Sequence, residues 1–328
     1  MNKLPFETIK SELRVKKEAK TDPAKGCKPE NMPASKLINY GIVNIDKPKG
    51  PTSHQVSDYI QRILQINKSG HSGTLDPNVT GVLPIALGRA TRIVQFLLKA
   101  GKEYICLMHI HKKVEEKMVK DVFNQFLGAI RQKPPLKSAV KRVERTRHIY
   151  YIEILEIDDQ DVLFKVGCEA GTYIRKLCDD FGKKLKCGAH MQELRRTRVA
   201  CFDESTLCSL QDLADAYHYF RNENNDKLIK KFIQPIENGI KHLPKIYVLD
   251  TTVEPLCHGS ELKIPGISAL DDTVTKEDLV AVMTLKAELV AVGTAKLNSL
   301  EIMENDKGIA VTIHKVFMEP GTYLINSE

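Results

Sequence analysis

Two apolar periods alternate along the chain and divide it into helical and extended stretches. Residues 41–46 read as a short strand, and Lys47-Pro48-Lys49-Gly50-Pro51 must end it, because prolines and glycine cannot continue a ladder. Thr52 and Gln55 then stand in capping-box spacing, with Val56, Tyr59, Ile60, Ile63 and Leu64 on one face of the helix that follows. Helical spacing returns over residues 89–100, closed by Gly101. It returns again over 116–130, where Met118, Val122, Phe123, Phe126 and Leu127 form the stripe. A further helix is expected near 173–186. Runs at 103–111, 148–157 and 162–168 are strand-like, and the polar, Asn-rich residues 221–231 read as a linker. After Lys245 the pattern changes to short runs at 280–284, 289–295 and 309–317 separated by turns, the signature of a small β-barrel.

Composition narrows this picture. The 328 residues suffice for two domains, and 42% hydrophobic with 28% charged residues is ordinary for a globular protein. No apolar run approaches bilayer length and the N-terminus lacks a signal-like apolar core, so a cytoplasmic location without membrane contact is expected. The eight cysteines contain no C-x-x-C pair and sit mostly in apolar stretches, which suits reduced core thiols. His109 and His111 share one strand face, but two ligands alone make a weak metal site, so no metal is expected. The net charge of +7 is uneven: residues 245–328 carry 7 Lys against 13 acidic residues, a balance of −6, and the remainder carries 42 Lys and Arg against 29 acids, or +13. A body this basic suggests a polyanionic partner. Its densest window, residues 131–148, has 7 Lys and Arg and one Glu.

The candidate chemistry centres on His71-Ser72-Gly73-Thr74-Leu75-Asp76-Pro77, a lone carboxylate in a glycine-started turn with no second acid nearby. Paired carboxylates would indicate glycosidase-like acid–base work; a solitary one held by Pro77 and Gly73 fits a nucleophile or an anchoring base. An Asx turn capping the next element would read the same way. Arg175 falls in the first turn of a predicted helix, against the dipole, and so needs a carboxylate partner or a task. Tyr104 and Tyr173 lie beside basic residues, where aromatics stack on bases as readily as they fill cores. Arg195, Arg196 and Arg198 could contact phosphates or cap a helix end.

In their order along the chain these motifs resemble the TruB superfamily of pseudouridine synthases. They run from Lys47-Pro-Lys-Gly-Pro-Thr-Ser-His54 and the Asp76 turn to Leu87-Gly-Arg-Ala-Thr-Arg92. Gly101-Lys-Glu-Tyr104, Gly171-Thr-Tyr-Ile-Arg175 and Met191-Gln-Glu-Leu-Arg-Arg-Thr-Arg198 continue the match. Pro134-Pro135, Ser138-Ala-Val-Lys-Arg142 and Val282-Met-Thr-Leu-Lys286 are similar to the dyskerin-type catalytic subunit of archaeal H/ACA ribonucleoproteins. The resemblance implies an α+β pseudouridine synthase fold, a mixed and mostly antiparallel sheet with flanking helices, followed by a β-barrel PUA domain. It places an N-terminal extension at 1–36, the catalytic domain at 37–232, a connector at 233–244, the PUA domain at 245–320 and a tail at 321–328. The extension is either disordered alone or packed on another part of the protein.

The resemblance further implies isomerisation of uridine to pseudouridine in rRNA or tRNA without a metal or organic cofactor. In it Asp76 matches the nucleophile, Tyr104 the aromatic on the flipped base, and Arg175 the partner of the aspartate. Tyr173, Leu194 and His71 match the substrate pocket. Lys47 matches a position facing RNA, while Lys137, Lys141, Arg142 and Arg145 fall in a thumb loop that closes over RNA. The implied partners are an H/ACA guide RNA and substrate RNA, a small zinc-ribbon protein, a glycine/arginine-rich-family protein and a kink-turn binding protein. A stand-alone tRNA pseudouridine-55 synthase is the alternative, and a non-catalytic RNA scaffold a further one. Two departures from the pattern stand out: Arg198-Val199-Ala200-Cys201 replaces a Ser-Gly-Pro turn, and Ala287 replaces a turn glycine.

Overall fold

The computed structural model describes residues 3–134 and 141–324. Two sheets organise it. After β1 (Leu13–Val15) come β2 (Gly41–Lys47), β3 (Ser69–His71), β4 (Thr80–Leu87), β5 (Lys102–Ile110), β6 (Gly128–Gln132), β7 (Arg145–Asp158), β8 (Asp161–Cys168), β9 (Ala189–Val199) and β10 (Ile233–Pro235). Strands β2 to β10 make one sheet in the order β10-β2-β4-β9-β5-β8-β7-β6, with β3 on β4. Among the described strands of this sheet only the β4–β9 pairing is parallel, so the sheet is mixed and mostly antiparallel. The remaining strands are β11 (Lys245–Val248), β12 (Leu262–Lys263), β13 (Ile267–Asp271), β14 (Leu279–Thr284), β15 (Leu289–Ala295) and β16 (Ile309–Val316). With β1 they form the barrel-side sheet, in the order β1-β13-β11-β14-β15-β16-β12.

Helices cover these sheets: α1 (Pro5–Thr8), α2 (Ala34–Tyr40), α3 (Ser53–Leu64), α4 (Val94–Lys99), α5 (Glu116–Asn124), α6 (Ile174–Lys184), α7 (Leu210–Asn222), α8 (Lys227–Phe232), α9 (Asp250–Cys257) and α10 (Ser299–Glu304). Helix α3 starts where its capping box lies. Gln55 N donates to Thr52 Oγ1 (3.2 Å), Thr52 N donates to Gln55 Oε1 (2.8 Å), and Val56, Ile60 and Leu64 face the core. Tyr59 stays largely exposed, outside that stripe.

Several expected boundaries move. The 89–100 helix divides into a 3₁₀ stretch, Gly88–Ile93, and α4. The helix expected over 116–130 stops at Asn124, and β6 begins at Gly128, because Leu127 and Ile130 continue a helical period by coincidence. The supposed linker 221–231 is largely helical: α7 runs into it and α8 buries Ile229 within it. Residues 233–244, expected as a connector, also contribute to the sheet and its core. Ile233 pairs with Val43 as an edge strand, and Ile236 and Ile240 are buried beneath the sheet.

The N-terminal extension packs on the barrel. Leu13 to Val15 pair antiparallel with Ala269 to Asp271, Cys27 N donates to Glu288 Oε1 (3.0 Å), and the Lys286 ammonium donates to the carbonyls of Asp22 (2.8 Å), Pro23 (3.2 Å) and Lys25. The two sheets share one apolar cluster in which Ile42, Val82, Ile93 and Phe96 meet Ala281, Met283, Leu289 and Phe317. Both sequence departures fall in left-handed turns: Ala200 has φ 50° and Ala287 φ 63°. All eight cysteines are free thiols, and Cys106, Cys168, Cys178, Cys208 and Cys257 are buried.

Candidate functional site

The Asp76 turn connects β3 to β4, and its main chain is fixed from three sides. Gly73 adopts φ 132°, a conformation that other residues rarely take. Buried Ser53, in the first turn of α3, accepts from Leu75 N at its Oγ (2.8 Å). Gly50 N donates to Pro77 O (2.9 Å), and Val79 N donates back to Asp76 O (3.0 Å). Past the turn, Gly81 pairs with Arg196, and a Cβ on it would lie 2.2 Å from Arg196 O, so only glycine lets β4 and β9 approach this closely.

Above this fixed backbone the Asp76 carboxylate is 54% exposed, and Arg175 Nη2 donates to its Oδ2 at 2.5 Å. Arg175 stands in the first turn of α6, where a cation opposes the helix dipole; the carboxylate across the turn compensates for that placement. Helix α6 is held in turn by Gln132 at the end of β6. Its buried amide accepts from Tyr173 N (2.9 Å) and donates to Tyr173 O (3.2 Å). Tyr104 on β5 and Leu194 on β9 are half-buried against one apolar cluster. Burial raises the pKa of Tyr104, and the neighbouring Arg196 cation opposes that rise.

Three cations are buried among the described residues, and two of them bind the turn's own main chain. Lys47 is 0% exposed, and its ammonium donates to the carbonyls of Pro48 (2.9 Å), Pro77 (3.1 Å) and Val79 (2.9 Å). Expected at a position facing RNA, it is instead enclosed in this structure, with its charge met by these carbonyls. Burial lowers its pKa, and nearby Asp76 opposes the shift. Arg196, 1% exposed, donates to Val82 O (2.8 Å) and Gly73 O (3.2 Å). Lys102 is the third, at the end of α4. Each member of the arginine run lies on β9 rather than at a helix end and is engaged internally. Arg195 forks onto Asp46 (3.0 and 3.1 Å) and reaches Glu204 (2.6 Å), and Arg198 forks onto Glu7 (3.0 and 2.5 Å). A lysine followed by Pro-Lys-Gly-Pro gave no signal of burial in the sequence.

His71 is half-buried at the other end of the turn. Its ring meets His54 edge-on (centroids 4.7 Å apart), and its Nδ1 is buried without a partner among the described residues. Burial, then His54 and Arg196, push its pKa down to about 4. Lys141 and Arg142 are exposed ahead of β7 and Arg145 at its first position; Lys137 lies outside the described residues. His109 and His111 gain a neighbour in His190, whose Nδ1 lies 2.9 Å from His111 Nε2, while His109 Nδ1 meets Asp161 Oδ1 at 2.7 Å. Among the described residues no group of three or more His, Cys, Asp or Glu could hold a metal, and no helix is long and apolar enough to cross a membrane.

Comparison with known proteins bears on each part of the chain. Residues 61–174 match the TruB family pseudouridylate synthase N-terminal domain, 175–241 the tRNA pseudouridylate synthase B C-terminal domain, 244–317 the PUA domain and 2–57 the DKCLD domain. A probable tRNA pseudouridine synthase B of Pyrococcus horikoshii is 54% identical over 317 residues, 96% of this chain and 95% of its own. A protein of the same description from Methanopyrus kandleri is 50% identical over 321 residues, 98% of this chain and 95% of its own. Among solved structures, a chain in the crystal structure of a Cbf5–Nop10–Gar1 complex superposes with a TM-score of 0.94 at 51% identity, covering 98% of both chains. A chain from an H/ACA ribonucleoprotein bound to a substrate RNA containing 2′-deoxyuridine gives 0.93 at 48%, covering 98% of this chain and 99% of its own.

Proposed function

This chain belongs to the TruB family of pseudouridylate synthases, and from that premise we propose that it is the catalytic subunit of a guide-RNA-directed particle in which Asp76 is the nucleophile. The observation that carries the assignment is the exposed Asp76–Arg175 ion pair standing on an immobilised turn. The reaction exchanges the C1′–N1 glycosidic bond of uridine for a C1′–C5 bond and moves one proton from C5 to N1. Nothing is oxidised or reduced, so one carboxylate with fixed geometry can suffice. The target base must leave its stack for its C1′ and ring atoms to reach the carboxylate.

Each neighbour then takes a role. Arg175 orients the carboxylate, Tyr104 stacks on the flipped uracil, Tyr173 and Leu194 wall the pocket, and His71, uncharged near neutral pH, lines its edge. Lys141, Arg142 and Arg145, with Lys137, belong to a basic thumb that closes on phosphates. By likeness to the solved H/ACA complexes, the partners are a substrate RNA and small proteins of the Nop10 and Gar1 kinds; the family resemblance adds a guide RNA paired to the substrate and a kink-turn binding protein. Base pairing would supply the sequence selection and the protein the geometry, as in other guided enzymes. The site of action is the cytoplasm.

A second reading has its own support, because curated relatives are described as tRNA pseudouridine synthases. Reconstitution separates the two. Product on the paired substrate only when guide and partner proteins are present supports the guided role; rapid modification of a bare tRNA transcript by the chain alone would replace it.

A further inference from the structure

Lys102 opens β5, is 5% exposed, and its ammonium donates to the carbonyls of Leu97 (3.0 Å), Leu98 (2.8 Å) and Ala100 (2.8 Å). These carbonyls lie at the C-terminal end of α4, where backbone donors run out: Ala100 N donates to Leu97 O (3.3 Å) as the cap, and Lys102 adds a donor to each of the three. Three acceptors match the three N–H bonds of an ammonium; a neutral amine would leave one of them unmet.

This cap touches the site on two sides. Leu98 is 45% exposed yet lies over the start of the Asp76 turn, where a Cβ on Gly73 would be 3.8 Å from Leu98 Cδ2. On the strand, Lys102 and Tyr104 share a face of β5, and Tyr104 stands opposite Arg196, which holds the Gly73 carbonyl at 3.2 Å. The end of α4 and the start of β5 therefore meet at one buried ammonium, and Leu98 on one side and Arg196 on the other carry that junction to the glycine of the turn. We propose that Lys102 is a positioning residue for the isomerisation: it ties α4 to β5 and so fixes the Gly73 end of the Asp76 turn relative to Tyr104. This rests on the roles given above to Asp76 and Tyr104.

The groups that face Lys102 are Arg196 on β9, Cys168 on β8 and His242 beyond the buried stretch at 236–240. Burial, then Arg196, lower its pKa to about 7, with Cys168 opposing. Activity should accordingly decline as pH rises from neutral, when the third donor is lost.

The test uses the complete guide-loaded particle and single-turnover rates from pH 6 to 9, with substrate affinity measured in parallel. Lys102→Met should slow the reaction by about 10- to 100-fold at pH 7 with affinity within about twofold, and the alkaline decline should disappear. Leu98→Ala, at an exposed position, should slow it by a few-fold and keep the decline. A wild-type rate in Lys102→Met, or the same alkaline decline in it, overturns the proposal. Should Lys102→Met fail to fold, a wild-type profile flat across this range, or an unaffected Leu98→Ala, overturns it equally. A wild-type particle that makes no pseudouridine contradicts the reading of the site instead.

Discussion

At the scale of single residues, the Asp76 turn is built on cations that the solvent never sees. Removing one of them should act on stability first. In Lys47→Met the carbonyls of Pro48, Pro77 and Val79 lose their shared donor, and about 3 kcal/mol of stability should go with it. Urea unfolding measures this directly; an RNA-contact lysine would instead leave the midpoint unchanged and weaken binding. His71 and His242 both have pKa values lowered to about 4, chiefly by burial. Unfolded histidine takes up a proton near pH 6.5, so between about pH 6.5 and 4 the unfolded chain binds more protons than the folded one. Their contribution is therefore complete above pH 6.5 and is lost as pH falls toward 4. Replacing both with Gln should flatten that part of the stability–pH curve, while an unchanged acid limb would show that the histidines do not drive it.

At the scale of elements, what was legible in the sequence was local. The capping box at Thr52 and Gln55 names its own bonds, and Gly73, Asp76 and Pro77 mark a turn without reference to anything distant. Arg175 announced that it needed a partner by opposing its helix dipole. What stayed hidden depends on contacts far apart in sequence. No local pattern distinguishes Lys47, Lys102 and Arg196 from solvated cations, because each finds its acceptors only after the strands assemble. Strand β6 was hidden for a different reason, since Leu127 and Ile130 prolong the helical period of α5 past its end. Its terminal Gln132 now matters, because its amide pins Tyr173 and so the helix that carries Arg175. Gln132→Ala should cost about 1–2 kcal/mol of stability and lower the single-turnover rate about tenfold, with guide affinity unchanged. Ala287, strained at φ 63°, offers the opposite case: Ala287→Gly should raise stability by about 0.5–1 kcal/mol in a thermal melt.

At the scale of the whole molecule, the barrel and the catalytic sheet are less separate than a division near residue 245 suggests. One apolar cluster spans both, and Tyr40 Oη donates across to Phe317 O (2.8 Å). The N-terminal extension straps the barrel through β1 and through Lys286 and Glu288. Barrel and catalytic sheet should therefore unfold in one calorimetric transition; two resolved transitions would show that the shared cluster contributes little. The uneven charge has its own consequence. The barrel segment is acidic, so affinity for RNA should weaken steeply with salt through the basic remainder, and neutralising Lys141, Arg142 and Arg145 together should reduce the salt slope by about 3.

If one carboxylate performs the chemistry, Asp76→Asn in the guide-loaded particle removes it. Asn is nearly isosteric and Asp76 is exposed, so folding and substrate binding should survive. Single-turnover pseudouridine formation should fall by at least about 10³-fold, or about 4 kcal/mol of barrier, at unchanged substrate affinity. Formation at a rate near that of the wild type would contradict a nucleophilic Asp76.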